Sequence, residues 1–202
     1  MIENFANLEV ERLYQTGKSR RLPPDILRRA LMRLAQLHAA VDAEDLRLPP
    51  SNHLESLRGD RAGQWSIRIN QQWRVCFRFE DGNAYDVDIV DYHYGADTMK
   101  TMTKTLTNGL PAIHPGEFLY EILDELGLTQ AAFAQVIGVS PMRVSHLLKG
   151  QRPVTAELAL RLGRALNQTP QYWLNLQTAY DLKMAEIEFE DSLLEVHALE
   201  VA

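Results

Sequence analysis

The sequence predicts an α+β module, a small antiparallel sheet with helices, followed by an all-α module. Three observations carry this expectation. Apolar and polar residues alternate along residues 65–92, the period of half-buried strands. Past residue 110 apolar residues recur every three or four positions, the period of helices. Between the two lies a polar, Thr-rich stretch, residues 97–109, almost without apolar periodicity. The expected division is a first module over 1–95, a linker over 96–109, a helical module over 110–180 and an acidic tail over 181–202.

Composition agrees with that division. A chain of 202 residues suits two small domains, and a module of roughly 95 residues can bury a core and fold alone. No apolar run approaches the ~18 residues of a membrane span, and the N-terminus lacks the basic and apolar regions of a signal peptide. The expectation is a soluble, cytoplasmic protein with no membrane partner. The lone Cys76 excludes an internal disulfide and a thiolate metal cluster, and no metal or cofactor is expected. The net charge of −6 is unevenly spread. Residues 1–95 hold 13 Lys/Arg against 14 Asp/Glu, residues 96–180 hold 7 against 6, and residues 181–202 hold one against seven. Both modules are therefore near neutral, and local basic patches can still steer a polyanion.

In the first module a short N-terminal strand and a helix near 8–14 precede a stronger helix over 24–41. Leu27, Ala30, Leu31, Leu34, Leu37 and Val41 form its apolar stripe. Arg28, Arg29 and Arg33 fall mainly on the solvent side, either as a solvated face or as a footprint for RNA phosphates. Trp65, Ile67 and Ile69 then alternate with Ser66, Arg68 and Asn70. After Gln71-Gln72, residues Trp73, Val75, Phe77 and Phe79 alternate with Arg74, Cys76 and Arg78. The Asp81-Gly82 pair favours a tight hairpin turn into a strand ending at Asp91-Tyr92-His93. On the polar side, Arg68, Asn70 and Arg74 can share one face. His53 and His93 offer two imidazoles for proton exchange near neutral pH. Fixed positive charge suits a phosphorane-like transition state. These are the parts of a metal-independent ribonuclease, with the RNA 2′-OH as nucleophile. Each also has a bland reading: Asp91 as a strand cap, His93 as an exposed terminal residue, Arg74 paired with Asp86 or Asp88, Cys76 as an inert strand residue.

Residues 42–93, with Asp45-Leu-Arg-Leu-Pro-Pro-Ser-Asn-His-Leu-Glu, Gln72-Trp-Arg-Val-Cys-Phe-Arg-Phe and Val90-Asp-Tyr-His, closely resemble HigB toxins of the RelE superfamily. The resemblance implies a ribosome-dependent mRNA interferase, an endoribonuclease whose partner is mRNA in the ribosomal decoding site. It implies catalytic roles for His53, Asp91, Tyr92 and His93, and RNA-binding roles for Arg68, Asn70 and Arg74.

The second module opens with a helix from Pro115 through Leu126, with Pro near its first turn and Gly127 after its last. Thr129 is an N-cap for 130–137, Gly138 permits a tight turn, and Ser140 caps 141–149. Helices over 155–165 and 170–180 complete a bundle. Gln130, Ala134, Gly138, Val144 and Leu147 have helix-turn-helix spacing, with a small residue where helices cross and buried residues three apart. Thr129, Gln130, Ser140, Met142, Arg143, Ser145, His146, Lys149 and Arg152 are the expected DNA-binding set. Arg143 suits a guanine edge, and Lys149 and Arg152 suit phosphates. A protein-only helical bundle is the bland alternative. This half, with Ser140-Pro-Met-Arg-Val-Ser-His-Leu-Leu-Lys-Gly, resembles HigA antitoxins of the XRE class. That resemblance implies a toxin–antitoxin contact, operator DNA as a partner, autorepression and a homodimer.

The combined expectation is a toxin–antitoxin pair on one chain, toxin first, with the nuclease held inactive by the second half. Met99 and Met102 leave room for internal initiation. The rival is a transcriptional regulator whose first half is an inactive, RelE-shaped sensor or interaction domain.

Overall fold

The computed structural model describes residues 1–92, 108–193 and 196. The predicted linker core, with Met99 and Met102, the catalytic candidate His93 and most of the tail past 193 lie outside the described residues.

The first half is a four-stranded antiparallel meander, β1 (Glu55–Ser56), β2 (Gln64–Arg68), β3 (Trp73–Glu80) and β4 (Asn83–Asp91), in sequence order. Its turn at Asp81-Gly82 has positive φ at both residues, 50° and 77°, as the Asp-Gly pair predicts. Helices α1 (Leu8–Thr16) and α2 (Pro24–Ala39) cover one face. Val10, Leu13, Ile26, Ala30, Leu34 and Leu37 pack there with Ile67, Val75, Phe77 and Val87. Each such aliphatic side chain contributes about 1.5–3 kcal/mol by leaving water. The expected N-terminal strand is instead a segment with two parallel bridges to β4, Ile2 to Ala84 and Phe5 to Val87. β4 also carries a bulge opposite Cys76–Arg78, with Asp86 at φ 52°.

The second half is helical: α3 (Pro115–Glu125), α4 (Gln130–Ile137), α5 (Pro141–Leu148), α6 (Ala156–Leu166), α7 (Pro170–Glu188) and the short α8 (Glu190–Leu193). Thr129, Ser140, Thr155 and Thr169 each accept a backbone N–H at the start of a helix. Gly138 ends α4 at φ 66°, in the left-handed region that side chains disfavour. Among the described residues no helix is long and apolar enough to cross a membrane.

The two halves share one continuous apolar core, and polar contacts flank it. The reading of Arg33 as solvent-facing is corrected here. Its side chain is 0% exposed and ion-paired to Glu121 of α3 at 2.8 Å. Helix period alone could not show this, because its partner lies 88 residues away. Asp45, also buried, takes hydrogen bonds from the Thr169 N–H and hydroxyl at the start of α7, where a carboxylate also meets the positive end of the helix dipole. Gln168 donates to the Asp45 carbonyl and Asn175 to the Ala39 carbonyl.

The second half begins against α1. Gly109 N–H donates to the Tyr14 carbonyl at 2.6 Å. A Cβ on Gly109 would stand 2.4 Å from the Gly17 nitrogen, and one on Gly17 would stand 2.7 Å from the Gly109 oxygen, so the crossing needs both glycines.

His38 links the N-terminal segment to α1. Its Nδ1 accepts from the Ile2 N–H at 3.3 Å and the Tyr14 hydroxyl at 2.9 Å. Burial pushes its pKa down to about 4, and burial also lowers that of His114. A depressed histidine means the unfolded chain binds more protons below pH 6.5, so stability is complete above that value and falls toward pH 4. We expect the parent to lose about 2 kcal/mol more than His38→Gln between pH 7 and pH 5. Parallel denaturant titrations check this, and equal losses would remove His38 from the account.

Candidate nuclease face and DNA-binding face

The sheet face turned away from α1 and α2 carries the first constellation. Arg68 and Arg74 are direct partners across β2 and β3, so both project to this side. Arg74 is only 5% exposed. Its Nε donates to Ser66 Oγ at 2.9 Å, and its Nη2 donates to the His53 carbonyl at 2.6 Å and lies 3.3 Å from Glu55. The Tyr92 ring lies 5.5 Å from the guanidinium carbon, a cation–π contact. His53 is exposed and holds φ 41°, which turns the chain from the short helical turn Pro50–Asn52 toward β1. The arrangement is a fixed, buried cation held by the His53 carbonyl, Ser66 and the Glu55 carboxylate and covered by the Tyr92 ring, with Arg68 as its neighbour on the same face.

Not every predicted residue joins it. Asp91 pairs with Trp73 in the ladder, and strand alternation puts it on the face opposite Arg74 and Tyr92. There it accepts a hydrogen bond from Gln72 at 2.6 Å. Asn70 is taken up by the turn, its Oδ1 accepting from the N–H groups of Gln72 and Trp73. Arg74 pairs with Glu55, and Asp86 is taken by Arg78. Glu55 and Ser66 were missed. Ser66 was visible as the polar neighbour of Arg68 in the alternation, whereas a two-residue β1 gives no period from which to place Glu55. Cys76 is buried, which raises its thiol pKa and leaves it inert as a nucleophile.

The second constellation is the α4–α5 pair. Ala134, Val144 and Leu147 are buried at the helix crossing, as the spacing requires. Thr129, Gln130, Ser140, Lys149 and Arg152 are exposed, Met142 is 68% exposed, and Arg143, Ser145 and His146 are half-buried. The Thr129 and Ser140 oxygens accept from the Ala132 and Arg143 N–H groups, and their hydroxyl protons can still donate to a phosphate oxygen. Arg143 is paired with Glu157 at 2.9 Å, and Glu157 also holds Arg161. Arg161 donates to the Ile137 and Gly138 carbonyls, which fixes the turn between α4 and α5.

The family described as RelE-like toxin of type II toxin–antitoxin system HigB matches residues 3–93, and a helix-turn-helix family matches residues 119–173. Endoribonuclease HigB of Proteus vulgaris is 32% identical over 93 residues, covering 46% of this chain and 100% of that protein. Antitoxin HigA-1 of Vibrio cholerae is 44% identical over 68 residues, covering 33% and 64%. Virulence-associated protein I of Dichelobacter nodosus is 52% identical over 80 residues, covering 39% and 74%. The chain belongs, over residues 3–93, to the RelE-like HigB toxin family, and it joins to that toxin, over residues 119–173, a helix-turn-helix module related to HigA antitoxins.

Proposed function

We propose that the first half is a ribosome-dependent mRNA endoribonuclease, and that the second half inhibits it, binds operator DNA as a dimer and represses its own operon. The observation that carries the nuclease reading is the buried Arg74 cation facing solvent groups from three elements. In this reading the RNA 2′-OH attacks the adjacent phosphorus, and Arg74 and Arg68 stabilise the charge that develops on the phosphoryl oxygens. Tyr92 stacks on a base. His53 and His93 exchange the protons of the nucleophile and the leaving 5′-oxygen. Glu55 orients Arg74. Asp91, on the other face, acts by holding the strand end that presents Tyr92. The name of the Proteus vulgaris relative supports the same chemistry.

Among the described residues, no hydrogen bond or ion pair joins residues 108–193 to His53, Glu55, Arg68, Arg74 or Tyr92. Inhibition therefore acts by the bulk and placement of the second half on α2 and on residues 45–51, with the reactive face left open.

A translating lysate tests this reading. Residues 1–95 are expected to cut mRNA and arrest growth, the full chain to be silent at equal concentration, and His93→Ala to disarm the fragment. A folded fragment that leaves mRNA intact would leave the inactive sensor domain as the better reading.

A further inference from the structure

The contact between α2 and α3 is unusual in its charge pattern. Glu117, Glu121 and Glu125 stand one turn apart on α3 and face Arg28, Arg29 and Arg33 of α2. Arg33 meets both oxygens of Glu121, at 2.8 and 3.0 Å. Glu125 takes both the N–H and the hydroxyl of Ser51, and that hydroxyl also accepts from Arg29 and Arg33. Among the described residues of their own half, Arg29 and Arg33 donate only to neutral acceptors, namely Ser51, Gln36 and the Arg68 carbonyl. Among the described residues, every carboxylate in ion-pair distance of these three arginines comes from α3.

A buried guanidinium without an anion of its own is costly. The first half thus carries a built anion site that is satisfied only by its inhibitor. We infer that Arg28, Arg29, Arg33 and the Ser51 N–H form a docking site for RNA backbone phosphates, and that the α3 carboxylates occupy the phosphate positions. Two features favour phosphate over a simple carboxylate partner. The arginines form a row rather than a single socket, as a polyanion strand demands. Arg28 is 84% and Arg29 44% exposed even with α3 in place, so an incoming strand can engage the row from its open end. An open groove of about 450 Å³ lies along it, lined by Asp25, Arg28, Arg29, Met32 and Tyr120 among others. The site is separate from the Arg74 face, so α3 and RNA compete for docking. The inference rests on the ribonuclease reading only in that RNA is the substrate class.

Binding of purified ribosomal RNA to the full chain tests it. Glu121→Gln/Glu125→Gln should bind about tenfold tighter than the parent, with a salt dependence steeper by about one unit of log–log slope. Glu188→Gln/Glu190→Gln, the same charge change at exposed positions of the tail helix, should match the parent. Adding Arg28→Ala and Arg29→Ala should abolish the gain. Should the Glu121 and Glu125 substitutions unfold the chain, Glu117→Gln, at a more exposed pair, should still give a smaller gain that Arg28→Ala removes. No gain in folded variants, or a gain indifferent to the arginines, overturns the inference. Cleavage is read separately, with residues 1–95 in a translating lysate: docking by the variants with no cleavage by that fragment would count against the nuclease alone, and cleavage by the fragment without this docking against the site alone.

Discussion

Arg33→Ala in the full chain is expected to lower the unfolding free energy by about 3–5 kcal/mol. The substitution removes a fully buried cation and takes a partner from four groups at once: Glu121, which is only 18% exposed and keeps Arg29 at 3.3 Å, Ser51, Gln36 and the Arg68 carbonyl. Loss of one partner from a buried pair costs far more than the pair itself is worth, because desolvation of the survivor is no longer offset. A charge-free replacement of both sides should therefore behave differently. Arg33→Met with Glu121→Met is expected to regain most of the loss, since the long apolar side chains fill similar volume. Denaturant titrations of the parent, the single and the double variant decide the matter. A single variant with the parent's midpoint would show that the pair does not stabilise the joint between the halves.

Arg143→Ala is expected to weaken operator binding about ten- to a hundredfold, the loss of one bidentate base contact. The fold should persist. Arg143 sits on the rim of α5, and its partner Glu157 keeps Arg161, which holds the turn. The loss should fall mainly on operator sequence and spare random DNA. Lys149→Ala should weaken both and reduce the salt slope by about one. Titration of operator and scrambled duplexes at several salt concentrations separates the two. Equal losses on both duplexes for Arg143→Ala would reassign it to phosphate binding.

Local pattern made much of this architecture readable in advance. The hairpin followed from Asp81-Gly82, the sheet faces from alternation, and the crossing of α4 and α5 from the spacing of Ala134, Gly138, Val144 and Leu147. Failures came where a residue's surroundings depend on distant chain. Arg33 sits on the polar side of α2, and the carboxylate that pairs with it comes from α3. Asp45 was read as part of a motif, yet its carboxylate meets α7 through Thr169, 124 residues on. Asp91 is a different case: its catalytic role was implied by the resemblance alone, and the ladder, which pairs it with Trp73, sets it on the face opposite Arg74. The cage around Arg74 was half visible: Arg68 and Tyr92 could be named, but Glu55 enters through a strand too short to show a period.

The glycine crossing between residues 17 and 109 fixes where the second half starts, and this bears on scission. A cut between residues 93 and 107 leaves Gly109 fastened to Tyr14 and leaves the Arg33–Glu121 and Asp45–Thr169 contacts untouched. What changes is molecularity. An intramolecular association becomes a bimolecular one, and the effective concentration supplied by the tether falls to the actual concentration of fragments. Dissociation then waits on the off-rate of the interface, which in most complexes carries the differences in affinity. On the proposed inhibitory reading, disinhibition thus trails cutting by a lag that the off-rate sets, while dilution sets how much of the first half stays free.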